Sequence, residues 1–401
     1  MSGCTYCCDQ PKWGLQRPSA SRRPRHLTVV AVMQTKKRIV FLGTPEVAAE
    51  SLQTLYTHTK SGESLFQICA VVSQPGKPRG RGNKNMPVPT PVEQAARDLG
   101  FGEDTILCPT SAKEESFLST LRDLQPDLCI TAAYGNMLPQ SFLDIPQLGT
   151  LNIHPSLLPK FRGAAPVQRA VQAGVDETGV SVAYTVLRCD AGPVLAQEKI
   201  AMDPDIMAPE LLSQLFRLGT QLLIRNLPAV YEGRGLELAT PQDEAAMVHA
   251  AKLTKEESNL DFTSCSATAL HNKVRAFAGW PGTTAYITLE EESTGKREVQ
   301  KIKICSTRIV ERSCSENHVE VPPSNEAEEG SSINNNIGSL SSTTTSSGSV
   351  LLTWGPSDTL LIPCLGGTVL EVLLVQPPTK KVMTTKDFKN GIRGKRLYIT
   401  A

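Results

Sequence analysis

Residues 149–166 read Gly149-Thr150-Leu151-Asn152-Ile153-His154-Pro155-Ser156-Leu157-Leu158-Pro159-Lys160-Phe161-Arg162-Gly163-Ala164-Ala165-Pro166. The apolar lead-in predicts a strand. Pro155 predicts that it ends at His154, because a proline pushes the residue before it out of the helical region. Asn152 and His154 are then alternate residues that project to one side of the strand end. The carboxyl ends of strands are where open α/β sheets bind ligands. An amide and an imidazole so placed, with the carboxylate of Asp190 further on, are the minimum set for moving an acyl group between nitrogens. That chemistry stabilises an oxyanion and shuttles a proton, and it needs no nucleophile from the protein. The pattern N-x-H-P alone is weak, since an Asn or His at a strand end is more often satisfied structurally.

On both sides of this run, strand and helix alternate. Residues 38–43 (RIVFLG) read as a buried strand, with Thr44 capping the next helix and Pro45 in its first position. A second strand is expected over 66–72. Thr90-Pro91-Val92-Glu93 is a capping box that opens a helix stopping at Gly100, and Ser111-Ala112-Lys113-Glu114 is another. Short apolar strands follow over 128–133 and 150–153, then a helix over 164–173, an alternating strand over 179–187 and a long amphipathic helix over 209–231. The alternation predicts an α/β class, a mostly parallel sheet with helices on both faces. Gly43 stands alone after the first strand. Without G-x-G-x-x-G, a nicotinamide site has little support.

A boundary is expected over 232–247. Beyond it a helix (267–278) precedes short strands over 284–289, 299–309, 350–354, 359–363 and 369–374, a pattern for a small barrel or sandwich. Residues 323–349 are Ser, Thr, Asn, Gly and Glu with almost nothing apolar. Such a stretch cannot bury enough surface to offset ordering entropy, so it is expected to be a disordered insertion.

At 401 residues the chain is long enough for two or three domains, and 40% hydrophobic with 20% charged residues is ordinary for a soluble globular protein. A net charge of +1 excludes a bulk polycation, so any nucleic-acid contact must come from local patches. The apolar runs are far too short to span a bilayer, and no membrane association is expected. Eleven scattered cysteines read as reduced thiols. Cys4-x-x-Cys7-Cys8 lacks a second pair for zinc, and no metal is expected. Cys189 is expected to be buried and inert, pointing away from Asp190 on a strand. Residues 1–37 carry Lys12, Arg17, Arg22, Arg23, Arg25, Lys36 and Lys37 against the single acid Asp9, with no long apolar core. That composition fits an organellar transit peptide, mitochondrial before plastid, better than a secretory signal.

Asn152-x-His154, the run Ser156-Leu157-Leu158-Pro159-Lys160-Phe161-Arg162-Gly163-Ala164-Ala165-Pro166 and Asp190-Ala191-Gly192 together resemble the 10-formyltetrahydrofolate-dependent formyltransferase superfamily. The resemblance implies that Asn152, His154 and Asp190 are catalytic and that Ser156, Leu157, Leu158 and Pro159 line the folate pocket. Pro155 stands where bacterial members commonly have Gly, as in some related formyltransferases. The implied architecture is a Rossmann-like formyltransferase domain over 38–240 and a smaller OB-like β-barrel over 248–401.

The acceptor is suggested by residues 74–91, QPGKPRGRGNKNMPVPTP, which carry Lys77, Arg79, Arg81 and Lys84 and no acid. Its prolines and glycines exclude helix and central strand. A short charge cluster is usually a solvated loop. This one resembles the loop by which methionyl-tRNA formyltransferases grip the acceptor stem, with Arg81 as the main contact. Lys380, Lys381, Lys386, Lys389, Arg393, Lys395 and Arg396 resemble that family's basic C-terminal stripe. The resemblance covers about 37–401 outside the insertion. It implies an enzyme passing a formyl group from 10-formyltetrahydrofolate to methionyl-tRNA; a monomer is expected, and the leader over 1–37 adds the expectation of organellar translation. Glycinamide ribonucleotide or a sugar amine is the rival acceptor for the same trio, but neither needs the basic loop or a barrel. Formyltetrahydrofolate hydrolysis or oxidation needs a further domain. A catalytically dead tRNA-binding protein is at odds with the intact trio.

Overall fold

The computed structural model describes residues 36–62, 64–78, 87–310 and 349–400. The basic leader up to residue 35, the loop tip bearing Arg79, Arg81 and Lys84, and the insertion up to residue 348 lie outside them. The first half runs β1 (Lys37–Gly43), α1 (Glu46–Thr59), β2 (Phe66–Val72), β3 (Lys77–Pro78), β4 (Pro87–Val88), α2 (Pro91–Asp98), β5 (Ile106–Leu107), α3 (Glu115–Leu124), β6 (Leu128–Ala132), α4 (Gln140–Leu143), β7 (Thr150–His154), β8 (Arg162–Gly163), α5 (Pro166–Ala173), β9 (Glu177–Tyr184), β10 (Val194–Ala201) and α6 (Ala208–Tyr231).

Seven of these strands form one sheet in the order β10-β9-β7-β6-β1-β2-β5. From β7 to β5 the pairs are parallel, and β9 and β10 are added antiparallel at one edge. All five residues of β6 and the last five of β1 are buried, as continuous apolar strands covered on both faces must be. The chain leaves β1 toward β2 and β5, then returns to β6 on the other side. That reversal opens a crevice at the carboxyl ends of β1 and β6, the place where open sheets take ligands.

Helix α6 fixes the height of the central strands. A Cβ on Gly219 would lie 2.6 Å from Ile153 Cγ2 and 2.6 Å from Val180 Cγ2, so only glycine lets the helix lie this close. Ile153 thus anchors β7 to α6 from one face, while its neighbours Asn152 and His154 project to the other.

Several local expectations shift. Pro45, not Thr44, is the N-cap of α1, and the Thr44 hydroxyl donates instead to Tyr134 O at 2.8 Å. The box at Thr90 forms with both reciprocal bonds, and Gly100 follows α2 with φ +85. At Ser111 only the carboxylate arm forms, Ser111 N–H to Glu114 Oε1 at 2.8 Å, and α3 begins at Glu115. Strand β10 was not expected. It is an edge strand whose buried and exposed residues alternate only loosely.

The connecting stretch holds α7 (Gly235–Leu238) and β11 (His249–Ala250), which pairs in parallel with β8. The second half comprises α8 (Ala267–Ala276), β12 (Thr283–Glu291), β13 (Arg297–Val310), β14 (Ser349–Leu351), β15 (Thr353–Trp354), β16 (Leu360–Pro363), β17 (Val369–Gln376), β18 (Met383–Thr384), α9 (Thr385–Gly391) and β19 (Lys395–Thr400). Its antiparallel sheet runs β14-β19-β12-β13-β17-β16-β15, with β18 beside β17. The two edge strands, β14 and β15, are separated in the chain only by Leu352, so the sheet curls back on itself as a small barrel. The expectation of a Rossmann-like sheet followed by an OB-like barrel is met. Among the described residues no helix is long and apolar enough to cross a membrane.

Candidate active site

The crevice at the sheet reversal is a cavity of about 480 Å³. Asn152, His154 and Asp190 all line it. The first two come from the carboxyl end of β7, and Asp190 comes from the turn between β9 and β10.

Each member of the trio is held by a specific contact. The Thr131 hydroxyl, on neighbouring β6, donates to Asn152 Oδ1 at 2.8 Å. With its oxygen taken, the Asn152 amide keeps its NH2 end for the cavity. His154 is 4% exposed. Its Nε2 lies 3.1 Å from the Phe161 carbonyl, which can only accept, so Nε2 carries the proton. Nδ1 is then the nitrogen facing Asp190, 3.7 Å from Oδ1. The other carboxylate oxygen of Asp190 accepts from the Gly163 backbone N–H at 2.9 Å. Asp190 is therefore aimed from the loop after β7 as well as from its own turn.

Cys189 departs from expectation. It is exposed and lies in a turn, not a strand, and its thiol reaches toward Asp190 Oδ2 at 3.4 Å. Desolvation of the sulfur, and then the adjacent carboxylate, push the thiol up to about 11. Desolvation thus disfavours the thiolate first and the adjacent carboxylate adds to it, so Cys189 is a poor nucleophile although it lies in an exposed turn.

The segment Ser156, Leu157, Leu158 and Pro159 does not line this cavity, although Pro155 does. These residues are tied back to the sheet. The buried Ser181 hydroxyl, on β9, donates to Ser156 O at 2.6 Å and accepts from the Leu158 N–H at 3.0 Å. Ser156 Oγ itself donates to Lys160 O at 2.7 Å. The loop after β6, Ala133 to Leu138, which sequence reasoning did not single out, lines the cavity. Its signal was a buried strand running straight into Ala133-Tyr134-Gly135-Asn136. Pro45, Val47, Leu212 and Phe216 add further apolar surface. Tyr134 Oη and Asn136 Nδ2 are buried there without a hydrogen-bond partner.

Lys77 is exposed on β3, at the base of the small β3–β4 hairpin that carries the basic tip. The chain entering this hairpin is fastened to the cavity loop, since Gln74 Nε2 donates to Tyr134 O at 3.2 Å. In the barrel, Lys380, Lys381, Lys386 and Arg393 are exposed. Lys389 is paired with Asp358 and Arg396 with Glu292. The stripe's net positive charge is thus smaller than its sequence suggests.

Comparison with known proteins bears on both halves. Residues 37–227 match the family described as formyl transferase, and 252–393 match the formyl transferase C-terminal domain. A methionyl-tRNA formyltransferase of Kosmotoga olearia is 35% identical over 355 residues, covering 88% of this chain and 96% of the relative. That of Methylococcus capsulatus is 36% identical over 362 residues, covering 90% and 99%. Among solved structures, an N-formyltransferase from Helicobacter canadensis, in complex with folinic acid and dTDP-3-aminofucose, superposes with a TM-score of 0.53. It is 13% identical, over 86% of this chain and 100% of its own, a likeness of fold alone.

Proposed function

The chain belongs to the methionyl-tRNA formyltransferase family, and from that premise we propose that it moves the formyl group of 10-formyltetrahydrofolate onto the α-amino group of methionyl-tRNA. The observation that carries the reading is the convergence of Asn152, His154 and Asp190 on one cavity at the sheet reversal.

The cavity suits the donor. Apolar walls from Pro45, Val47, Leu138 and Phe216 fit a flat ring system, and the unpartnered polar atoms of Tyr134 and Asn136 offer it hydrogen bonds. The folate supplies an activated formyl group. The α-amine attacks the formyl carbon while uncharged, and the bond from that carbon to the folate nitrogen then breaks. Asn152 Nδ2 donates to the formyl oxygen as negative charge gathers there. His154 can add a second donor only when its Nε2–H leaves the Phe161 carbonyl. The proton lost by the amine passes to the His154–Asp190 pair, directly or through water, and a proton is returned to the leaving nitrogen. Asp190 orients the imidazole and balances its charge when protonated.

On the acceptor side, Lys77, Arg79, Arg81 and Lys84 meet phosphates of the acceptor stem, Arg81 foremost. The bond from Gln74 to Tyr134 supports this, because it fastens the chain that leads to Lys77 to the cavity loop. The exposed lysines and Arg393 of the barrel offer further contacts to phosphates. We further infer a monomer that works in mitochondrial translation, with the plastid as the alternative. The basic, acid-poor leader over 1–37 supports this. One comparison tests the central reading: initial rates of formyl transfer to methionyl-tRNA, glycinamide ribonucleotide and free methionine. The rate with methionyl-tRNA should exceed the others by orders of magnitude, and equal or faster use of glycinamide ribonucleotide refutes it.

A further inference from the structure

We propose that Gln242, in the segment joining the two halves, is a positioning residue that holds the turn aiming Asp190 at His154. Its amide has one donor end and one acceptor end, and both are used. Nε2 donates to the carbonyls of Asp190 at 2.8 Å and Gly192 at 2.6 Å. Oε1 accepts from Arg162 Nε at 2.9 Å. A guanidinium can only donate, so the amide cannot flip, and its NH2 must face the turn.

The turn needs such a clamp. Asp190 has φ +50, a left-handed conformation that a non-glycine residue keeps only where its surroundings enforce it. Gly192 has no slack either, since a Cβ there would lie 1.8 Å from Tyr184 O. The Gln242 amide bridges these two residues through their backbones. It therefore sets the turn's curvature without touching the cavity.

The surrounding contacts point the same way. Arg162 is 4% exposed, and its guanidinium is held by Glu244 at 3.0 Å. Glu244 also pairs at 2.8 Å with Arg188, two residues before Asp190. Arg162 N–H donates to Val248 O at 2.9 Å, which places the next N–H, that of Gly163, on the Asp190 carboxylate. Thr240 exchanges backbone bonds with Val194, just past the turn. The connecting segment thus grips the Asp190 turn from both ends. It lies between the two regions matched by the family, which stop at 227 and resume at 252.

This inference rests on the proposed role of Asp190, so the experiment separates the two. Gln242→Glu keeps the shape and strengthens the bond to Arg162, but turns an oxygen toward two carbonyl oxygens. It should lower single-turnover formyl transfer by roughly 10–100-fold, the cost of a small misplacement of a reacting group. The formyl-donor Kd and Tm should stay near wild type. In an Asp190→Asn background the same change should cost less than about twofold, because the group it positions has lost its charge. Gln242→Met, which cannot donate at all, is read the same way if the Glu variant does not fold. An unchanged rate for the Glu or Met variant overturns the proposal. So does an equal loss in the Asp190→Asn background, which would mean that Gln242 acts independently of Asp190. Near-normal turnover in Asp190→Asn alone would instead refute the role of Asp190.

Discussion

Replacing Ser181 with alanine decides what the Ser156–Pro159 segment does. Ser181 lies on β9 directly opposite His154 and is fully buried. Its hydroxyl donates to Ser156 O at 2.6 Å and accepts from Leu158 N–H at 3.0 Å and from Gln197 Nε2 at 2.9 Å. In Ser181→Ala the Gln197 amide keeps its bond to Leu158 O at 2.8 Å, but the Ser156 carbonyl and the Leu158 N–H lose this partner inside the protein. Each buried orphan costs about 1–3 kcal/mol, and partial relaxation brings the pair to about 2–4 kcal/mol. At about 2–4 °C per kcal/mol for a domain of ordinary size, Tm should fall by roughly 4–16 °C. Scanning calorimetry reads this directly. Turnover, measured well below the new Tm, should also drop, because Pro155 and the Phe161 carbonyl ride on the loosened loop. Donor affinity should change less than about threefold, because residues 156–159 stand off the cavity. A Tm fall under about 1 °C would show that the network contributes nothing. A large loss of donor affinity at unchanged Tm would show that the segment touches the folate after all.

Asn152→Ala should lower kcat on the order of 10²–10³ with donor Kd nearly unchanged, and near-normal turnover would remove the amide from the mechanism. Gly219→Val drives a side chain into Ile153 and Val180 and should cost about 1–3 kcal/mol in urea unfolding; an unchanged midpoint would mean that α6 shifts freely on the sheet. Burial, aided by the Arg275 guanidinium, holds His271 below its ordinary 6.5. The unfolded chain binds that proton more readily, so the stability is present above pH 6.5 and is lost as pH falls through and below it. His271→Gln should flatten the dependence of the unfolding midpoint between about pH 7 and 5, and an unaltered slope would assign it to other groups. Deleting 323–349 should leave turnover and Tm nearly unchanged, because its composition offers no core to lose; a large Tm fall would show that it packs.

The parts of the fold legible in the sequence are those whose reason is local. The β1 run is apolar because both faces of a parallel strand are covered, and the Thr90–Glu93 box states its own hydrogen bonds. Asn152 and His154 could be put on one side of a strand end because alternation and Pro155 are both short-range. The illegible parts depend on partners distant in the chain. Beyond Val194, strand β10 is paired only on one side, and its residues do not form a continuous apolar run. The cavity wall at Ala133–Leu138 reads as an ordinary turn until the sheet reversal places it opposite β7. Cys189 was misplaced because Asp190 was assumed to be extended, whereas its φ of +50 turns both side chains to the same neighbourhood.

That left-handed residue is one of three beside the site. Ala133, Phe161 and Asp190 have φ +47, +60 and +50, and none is glycine. Each such conformation costs on the order of 1–3 kcal/mol and persists only where contacts over-determine it. Phe161 spends that strain on aiming its carbonyl at His154 Nε2, and Asp190 on facing Nδ1. The imidazole is thereby held at Nε2 by the Phe161 carbonyl before any substrate arrives, with Asp190 Oδ1 waiting 3.7 Å from Nδ1. The contacts that maintain this grip come from Ser181 on β9 and from Gln242 and Glu244 in the connecting segment. A site with Asn152 and His154 on one short strand thus depends for its geometry on residues some thirty to ninety positions further along the chain. By its contacts the connecting segment belongs with the catalytic half, although its composition reads as a linker.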